Sequence, residues 1–316
     1  MKELKAVAVL LAAAVVTVST ATAQPHVAQR SPVTVAPGKS TIRMERISPE
    51  ICKVSFANSP LNLIVPETIA SLNEAVKQLS KDDQVKVVVF TSEVAGYFYN
   101  HFDISQFANF AGQAGANGKP LWVELITNLG NAPFISIAAI HGRTQGGGDE
   151  LALAFDLRYA SRETAVFGQP EVGIGLFPGG GSTNALTRLA GRDRALEVLL
   201  SSDDYDAATA ERYGWVTRAL PEVELDNFVN RMASRLATFD RTALITVKKQ
   251  INAVAFPQEP ELRNSYSVFL SSLSWPGLQQ RMPVFGKLYS QEGAQKVEQN
   301  LGFYIGQANK QLPKSK

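Results

Sequence analysis

The chain has 316 residues, 45% hydrophobic and 19% charged, which is enough apolar material for one or two globular domains and too much for a disordered chain. Its 31 lysines and arginines against 29 acids leave a net charge of +2, and no basic block is interleaved with aromatics, so the footprint of a nucleic-acid binder is absent. The single cysteine, Cys52, excludes an intramolecular disulfide, and three histidines (His26, His101, His141) form no ligand cluster in the sequence, so no metal is expected.

The first segment, "MKELKAVAVLLAAAVVTVSTATAQ", places Lys2 and Lys5 ahead of an apolar run from Ala6 to Val18 and ends on the small residues Ala21-Thr22-Ala23. This is the pattern of an export signal cleaved after Ala23. A membrane anchor is the alternative, but a span needs about 20 apolar residues and this run is shorter. Cleavage removes two lysines and one glutamate, so the mature chain carries +1, and no membrane contact is expected of it. Residues 24–40 are polar, contain proline and lack periodicity, which predicts a flexible lead-in with the fold starting near Thr41.

From there the pattern is α/β. "IRMERISPEICKVSFA" reads as two extended runs broken at Ser48-Pro49, consistent with a hairpin. Ile69, Leu72, Ala75, Val76 and Leu79 recur at helical spacing between about Pro66 and Leu79. "VKVVVF" at 85–90 and "PFISIAAI" at 133–140 are continuous apolar runs, as in strands covered on both faces, with helical segments around 104–112 and 120–129 between them. Strand, helix, strand in that order predicts a parallel sheet with helical crossovers. A short strand at 157–160 and a glycine-rich turn at 178–181 follow. The stretches 192–200, 206–213, 223–237, 240–254, 259–273 and 291–307 are helical by pattern, with a strand within 214–221. The helical tail from about Asp226 is expected to pack on the sheet core or on a neighbouring subunit.

Two glycine-rich turns carry the chemistry. In "AIHGRTQGGGDELALAFDL" three glycines precede Asp149 and Glu150. Such a turn admits close backbone approach and leaves the first N–H groups of the following helix free to meet a developing oxyanion. Glu150 then sits on an apolar stretch, where burial raises a carboxyl pKa. An N-terminal helix acid favoured by the helix dipole, with glycines kept only for packing, explains the same residues. In "FGQPEVGIGLFPGGGST", Glu171 precedes the second turn, so two carboxylates from separate turns could face one another as acid and base.

These two regions, "AAIHGRTQGGGDELALAFDLRYAS" and "FGQPEVGIGLFPGGGSTNALTRLAGRDRALEVLLSSDDYDAATAERYGWVTRAL", resemble the signature regions of the crotonase family, the enoyl-CoA hydratase/isomerase superfamily. Gly-Gly-Gly-x-Glu-Leu-Ala, Gly-Gln-Pro-Glu and Pro-Gly-Gly-Gly come in that family's order and spacing, and the likeness extends over about residues 42–237. The resemblance implies a crotonase-like spiral of ββα repeats (41–237) with a C-terminal helical region (238–316), assembled as a homotrimer or homohexamer. It implies an oxyanion hole from the N–H groups of Gly147 and Phe102, the latter through "YFYNHFDIS", and catalytic glutamates at Glu150 and Glu171. It also implies substrate contacts at His101, Asp103, Gly146, Gly148, Pro178 and Gly179. No cofactor is implied beyond coenzyme A as part of an acyl-CoA or related thioester substrate. The activity it suggests is a lyase that hydrates an enoyl thioester. The alternatives are a double-bond isomerase or another crotonase-type reaction.

The sequence departs from the family in places. His101-Phe102 replaces small residues, Ile104-Ser105-Gln106 lacks a lysine common near the coenzyme phosphates, and "AQKVEQNLGFYIGQ" lacks the usual basic ending. His101 is either a pocket residue or a histidine satisfied in its loop. Arg143 and Gln145 are candidate pocket-lining residues. Asp149 is expected to cap or pair locally, and Asp156 and Arg158 to hold the turn. An export signal conflicts with a cytosolic acyl-CoA substrate. Three readings follow: a cytoplasmic enzyme starting near Met44, an exported enzyme for another thioester, or an exported protein that binds an acyl ligand or a partner without catalysis.

Overall fold

The hairpin expected at Ser48-Pro49 opens the fold. A computed structural model describes residues 40–313; the expected export signal and nearly all of the expected lead-in lie outside the described residues. Strands β1 (Thr41–Ser48) and β2 (Ile51–Ala57) pair antiparallel, from Thr41 opposite Ala57 to Ser48 opposite Ile51. β1 lies at the sheet edge, where Arg43, Glu45 and Arg46 oppose edge-to-edge association. Helix α1 (Pro66–Ser80) begins on proline, which needs no N–H partner there, and buries Ile69, Leu72, Val76 and Leu79 along one stripe. β3 (Val87–Ser92) follows, then a 3-10 turn at Ile104–Gln106, α2 (Phe107–Ala111), α3 (Leu121–Asn131) and β4 (Ile135–Ile140), which is buried at every position.

The chain continues through β5 (Thr144–Gln145), α4 (Gly147–Ala154), β6 (Leu157–Ser161), β7 (Val166–Gly168) and a 3-10 turn at Val172–Ile174. Then come α5 (Ser182–Ala190), α6 (Arg192–Ser201), β8 (Tyr205–Asp206), α7 (Ala207–Tyr213), β9 (Arg218–Leu220) and α8 (Glu222–Ala237). Helices α9 (Arg241–Ala255), α10 (Glu259–Ser272), α11 (Pro276–Glu292), α12 (Ala294–Gln299) and α13 (Leu301–Lys310) complete it.

The main sheet has the order β1-β2-β3-β4-β6-β9 and is parallel after its first pair; a second sheet is β5-β7-β8. Both faces of the central strands β3 and β4 are covered, which is why they read as unbroken apolar runs. Val54, Phe56, Val88, Phe90, Ala138 and Ile140 join the core beneath α1, α3 and α4, while Val87, Val89, Ile137 and Tyr159 meet Leu225, Val229 and Ala233 of α8. The tail therefore does pack on the sheet through α8. Helices α11 to α13 form their own small core around Phe285, Leu288, Val297, Leu301 and Ile305, against the 3-10 turn at Val172–Ile174.

Four features of the fold differ from the pattern in the sequence. β5, β7 and β8 have two or three residues, too few for a period-2 pattern to register. α5 starts directly after the glycine turn at 178–181, in a stretch outside the expected helices, and α11 carries Pro283 and Gly286 yet stays helical. The helix expected over 291–307 is broken: Gly293, at φ +85°, separates α11 from α12, and Asn300 separates α12 from α13.

Candidate active site

Parallel strands end together, and the loops leaving the C-terminal ends of β3 and β4 meet there. Phe98 N–H donates to the Arg143 carbonyl at 2.8 Å and Arg143 N–H to the Gly96 carbonyl at 2.9 Å, which locks the two loops side by side. The triglycine makes this possible. Gly146 turns the chain with φ +47°, and a Cβ on Gly148 would lie 2.0 Å from the Tyr99 carbonyl oxygen, so only glycine lets α4 start against the first loop. The first N–H of a helix has no partner within it, and among the described residues that of Gly147 takes no other.

The first loop frees a second donor. Ile64 N–H donates to the His101 carbonyl at 3.0 Å and Asp103 N–H to the Ile64 carbonyl at 2.9 Å. This parallel bridge turns the Phe102 N–H away from it, and that group enters no backbone hydrogen bond among the described residues. The Phe102 ring packs on Gly147, where a Cβ would fall 2.6 Å from its Cε1. Stacking on Phe110 and an edge contact to Trp122 hold the ring.

Glu150, one turn into α4, is 5% exposed. Its Oε1 accepts from Gly180 N–H at 2.7 Å, Ser182 Oγ at 2.9 Å and Ser182 N–H at 3.3 Å, so the second glycine turn wraps around the carboxylate. Gly180 has no room for a side chain, since a Cβ would stand 2.1 Å from Glu150 Oε2. Burial raises the Glu150 pKa while these donors oppose the rise. Glu171 lies in a different environment. It is 9% exposed, its Oε2 has no hydrogen-bond partner, and burial together with the Glu150 charge holds its pKa well above the usual carboxylate range. Its Oε1 occupies the space that a Cβ on Gly146 would fill.

Both carboxyls line one cavity of about 60 Å³, room for several water molecules. His101, Phe102, Gly147, Gly179 and Gly180 share its wall with the apolar side chains Ile174, Leu176, Phe269 and Phe285. Thus Glu150, Glu171, Phe102, Gly147, His101 and Gly179 come together. Gly146 and Gly148 act behind the wall as backbone hinges, and Pro178 is buried outside the lining. The Asp103 carboxylate faces away: it caps the 3-10 turn, accepting from Ser105 N–H and Oγ at 3.0 and 2.6 Å. Arg143 and Gln145 do not line the cavity either, because both bind Asp204, at 2.5 and 2.8 Å. Among the described residues no three His, Cys, Asp or Glu side chains converge to hold a metal ion.

The family model described as enoyl-CoA hydratase/isomerase matches residues 46–274, most of the chain. The chain belongs to that family. Similar relatives include a short-chain-enoyl-CoA hydratase of Clostridium acetobutylicum, 30% identical over 192 residues, or 61% of this chain and 73% of that protein. A crotonyl-CoA hydratase of Syntrophomonas wolfei is 30% identical over 201 residues, 63% of this chain and 77% of that protein. A crystal structure of an enoyl-CoA hydratase family member from Streptomyces avermitilis superposes with a TM-score of 0.78 at 39% identity, covering 86% of this chain and 99% of that one.

Outside the two glycine turns, the cavity wall includes residues that no motif in the sequence marks. Tyr266 and Phe269 of α10, Met282, Phe285 and Tyr289 of α11 and Leu301 of α13 all reach it. Glu298 of α12 pairs with His101 directly behind the wall. No local pattern distinguishes these side chains from ordinary helix residues. The available signal was His101 itself, since a histidine within a buried loop needs a partner.

Proposed function

We propose that this member of the enoyl-CoA hydratase/isomerase family is a lyase that adds water across the C2–C3 double bond of an α,β-unsaturated acyl thioester. The observation that carries the reading is one cavity holding two buried carboxyls in unlike surroundings beside two free backbone N–H groups. Pairs of titratable groups driven apart by their surroundings take acid and base roles. Glu150, whose Oε1 is braced by three donors, is the base. Glu171, lacking a donor on Oε2 and facing the Glu150 charge, keeps its proton and is the acid.

In this reading the thioester oxygen accepts hydrogen bonds from the Phe102 and Gly147 N–H groups, which stabilise the charge that builds there as the enolate forms. Glu150 takes a proton from water as the water oxygen bonds to C3, and Glu171 delivers its proton to C2. Water has then been added in full, and transfer of the proton from Glu150 back to Glu171 restores the starting state. His101, Gly179 and the apolar wall are the substrate contacts, with coenzyme A as the carrier named in the relatives' substrates and no further cofactor.

The test follows the enoyl absorbance of crotonyl-CoA with purified protein, with a Glu150→Gln/Glu171→Gln variant as control. Loss of absorbance with a product heavier by one water, in the wild type only, is expected. No loss, or equal loss in both, overturns the reading, and a product of unchanged mass points to double-bond migration instead. We further propose an exported mature chain beginning at Gln24, checked by fractionation with N-terminal sequencing. Assembly as a homotrimer or homohexamer, checked by light scattering, draws support from the exposed apolar side chains Val247, Ile251 and Val254 on α9.

A further inference from the structure

A buried ion pair ties the first oxyanion loop to a helix 197 residues further along the chain. His101 Nε2 stands 3.0 Å from both carboxylate oxygens of Glu298, and Nδ1 stands 2.8 Å from the Phe102 carbonyl oxygen. A carboxylate and a carbonyl only accept, so both ring nitrogens donate and the ring is an imidazolium. Burial works against that charge, but the Glu298 carboxylate outweighs it and brings His101 up to about 9.

Glu298 itself is 2% exposed. Burial alone would raise its pKa, yet His101 and its other donors hold it below the usual range. Those donors are Tyr289 Oη of α11 at 2.8 Å and Asn100 Nδ2 at 3.3 Å. Every partner of this carboxylate therefore belongs either to the oxyanion loop or to the C-terminal helices. The other titratable groups facing the pair are Tyr97 on the same loop and Glu171 across the cavity, with Arg143 beyond Tyr97.

Burying two charges is costly, and the Glu298 carboxylate does not itself line the cavity. Its effect passes through His101, whose Nδ1–H fixes the backbone of the residue that presents the free N–H. We propose that Glu298 is a positioning residue: its ion pair with His101 holds the Phe102 N–H in place, so the oxyanion pocket is complete only when the C-terminal helices are docked. The kinetic half of this inference rests on the hydratase reading; the structural half rests on the ion pair alone.

A displacement of about 1 Å in a catalytic group costs up to roughly a hundredfold in rate, so Glu298→Gln is expected to lower kcat by about ten- to a hundredfold with a smaller change in KM. His101→Asn, which also removes a wall residue, should lower kcat at least as much, and the double variant should be no worse than His101→Asn alone, because Glu298 acts only through His101. Glu298→Asp, which keeps the charge, should recover part of the loss. Glu292→Gln, which breaks the solvent-side pair with Lys296 at the end of α11, is the control and should leave kcat unchanged.

Independently of activity, NMR titration of the His101 ring should give a midpoint near 9 in the wild type and at or below the ordinary 6.5 in Glu298→Gln. A wild-type midpoint at or below 6.5, or one unmoved by the substitution, overturns the inference without any kinetic measurement. A wild type that hydrates and a Glu298→Gln variant that matches it overturn the inference and leave the hydratase reading standing. A wild type that hydrates nothing, with the two midpoints as expected, overturns the reading and supports the link between loop and helices.

Discussion

Asp149 and Glu150 are neighbours in the same turn of α4, and they face different sides of it. Asp149 is sealed off: its Oδ1 accepts from Trp215 Nε1 at 2.9 Å and its Oδ2 from Gln169 Nε2 at 2.6 Å. Glu150 looks into the cavity across from Glu171. Successive helical residues point about 100° apart, so adjacent acids meet different surroundings. Burial pushes both carboxyls up, and it is the other groups in reach that separate a packing role from a chemical one.

The largest effect that could break this contrast is kinetic. Glu150→Gln and Glu171→Gln should each lower kcat for enoyl-thioester hydration by about 10² to 10⁴. An Asp149 substitution that folds and loses as much would erase the distinction. Gly180→Ala comes next, since its Cβ would displace the Glu150 carboxylate; kcat should fall roughly a hundredfold in the same assay. Full activity in that variant would mean that the wrap around Glu150 is dispensable.

Asp149→Ala sharpens the other side. It strands the Trp215 and Gln169 donors in the core and should cost about 2–6 kcal/mol in urea unfolding, at roughly 1–3 kcal/mol for each unsatisfied group. A cost under about 1 kcal/mol would remove Asp149 from its structural role.

The smallest effect is a pH slope. Glu171 has a folded pKa raised above its ordinary 4.5, so the folded protein keeps a proton that the unfolded chain gives up. Its contribution to stability is full below 4.5 and is lost as pH rises through the folded value. Glu171→Gln should gain on the wild type across that window by at most about 1.4 kcal/mol per pH unit. Parallel stability curves for the two proteins would contradict a proton held on Glu171.

Much of the scaffold was legible because it depends on local periodicity. The stripe of α1 and the apolar runs of β3 and β4 are each specified by residues within one element. The two glycine turns were legible for a related reason: Gly146 needs a backbone that other residues rarely adopt, and Gly148 needs room that any side chain would fill. Illegible were α11, where Pro283 and Gly286 argue against a helix that packing sustains, and Asp103, whose motif position suggested a substrate contact although its carboxylate is used up in capping.

Alone, the sequence determined the α/β class, the hairpin and buried strands of the main sheet and the two turns that carry Glu150 and Glu171, because these follow from spacing and backbone sterics within short windows. Only the tertiary structure decided which acids share a cavity, that Arg143 and Gln145 turn away to Asp204, and that Glu298 stands behind His101. Those outcomes depend on which distant side chain supplies a donor or a charge, and a low-dielectric interior makes that choice energetically decisive.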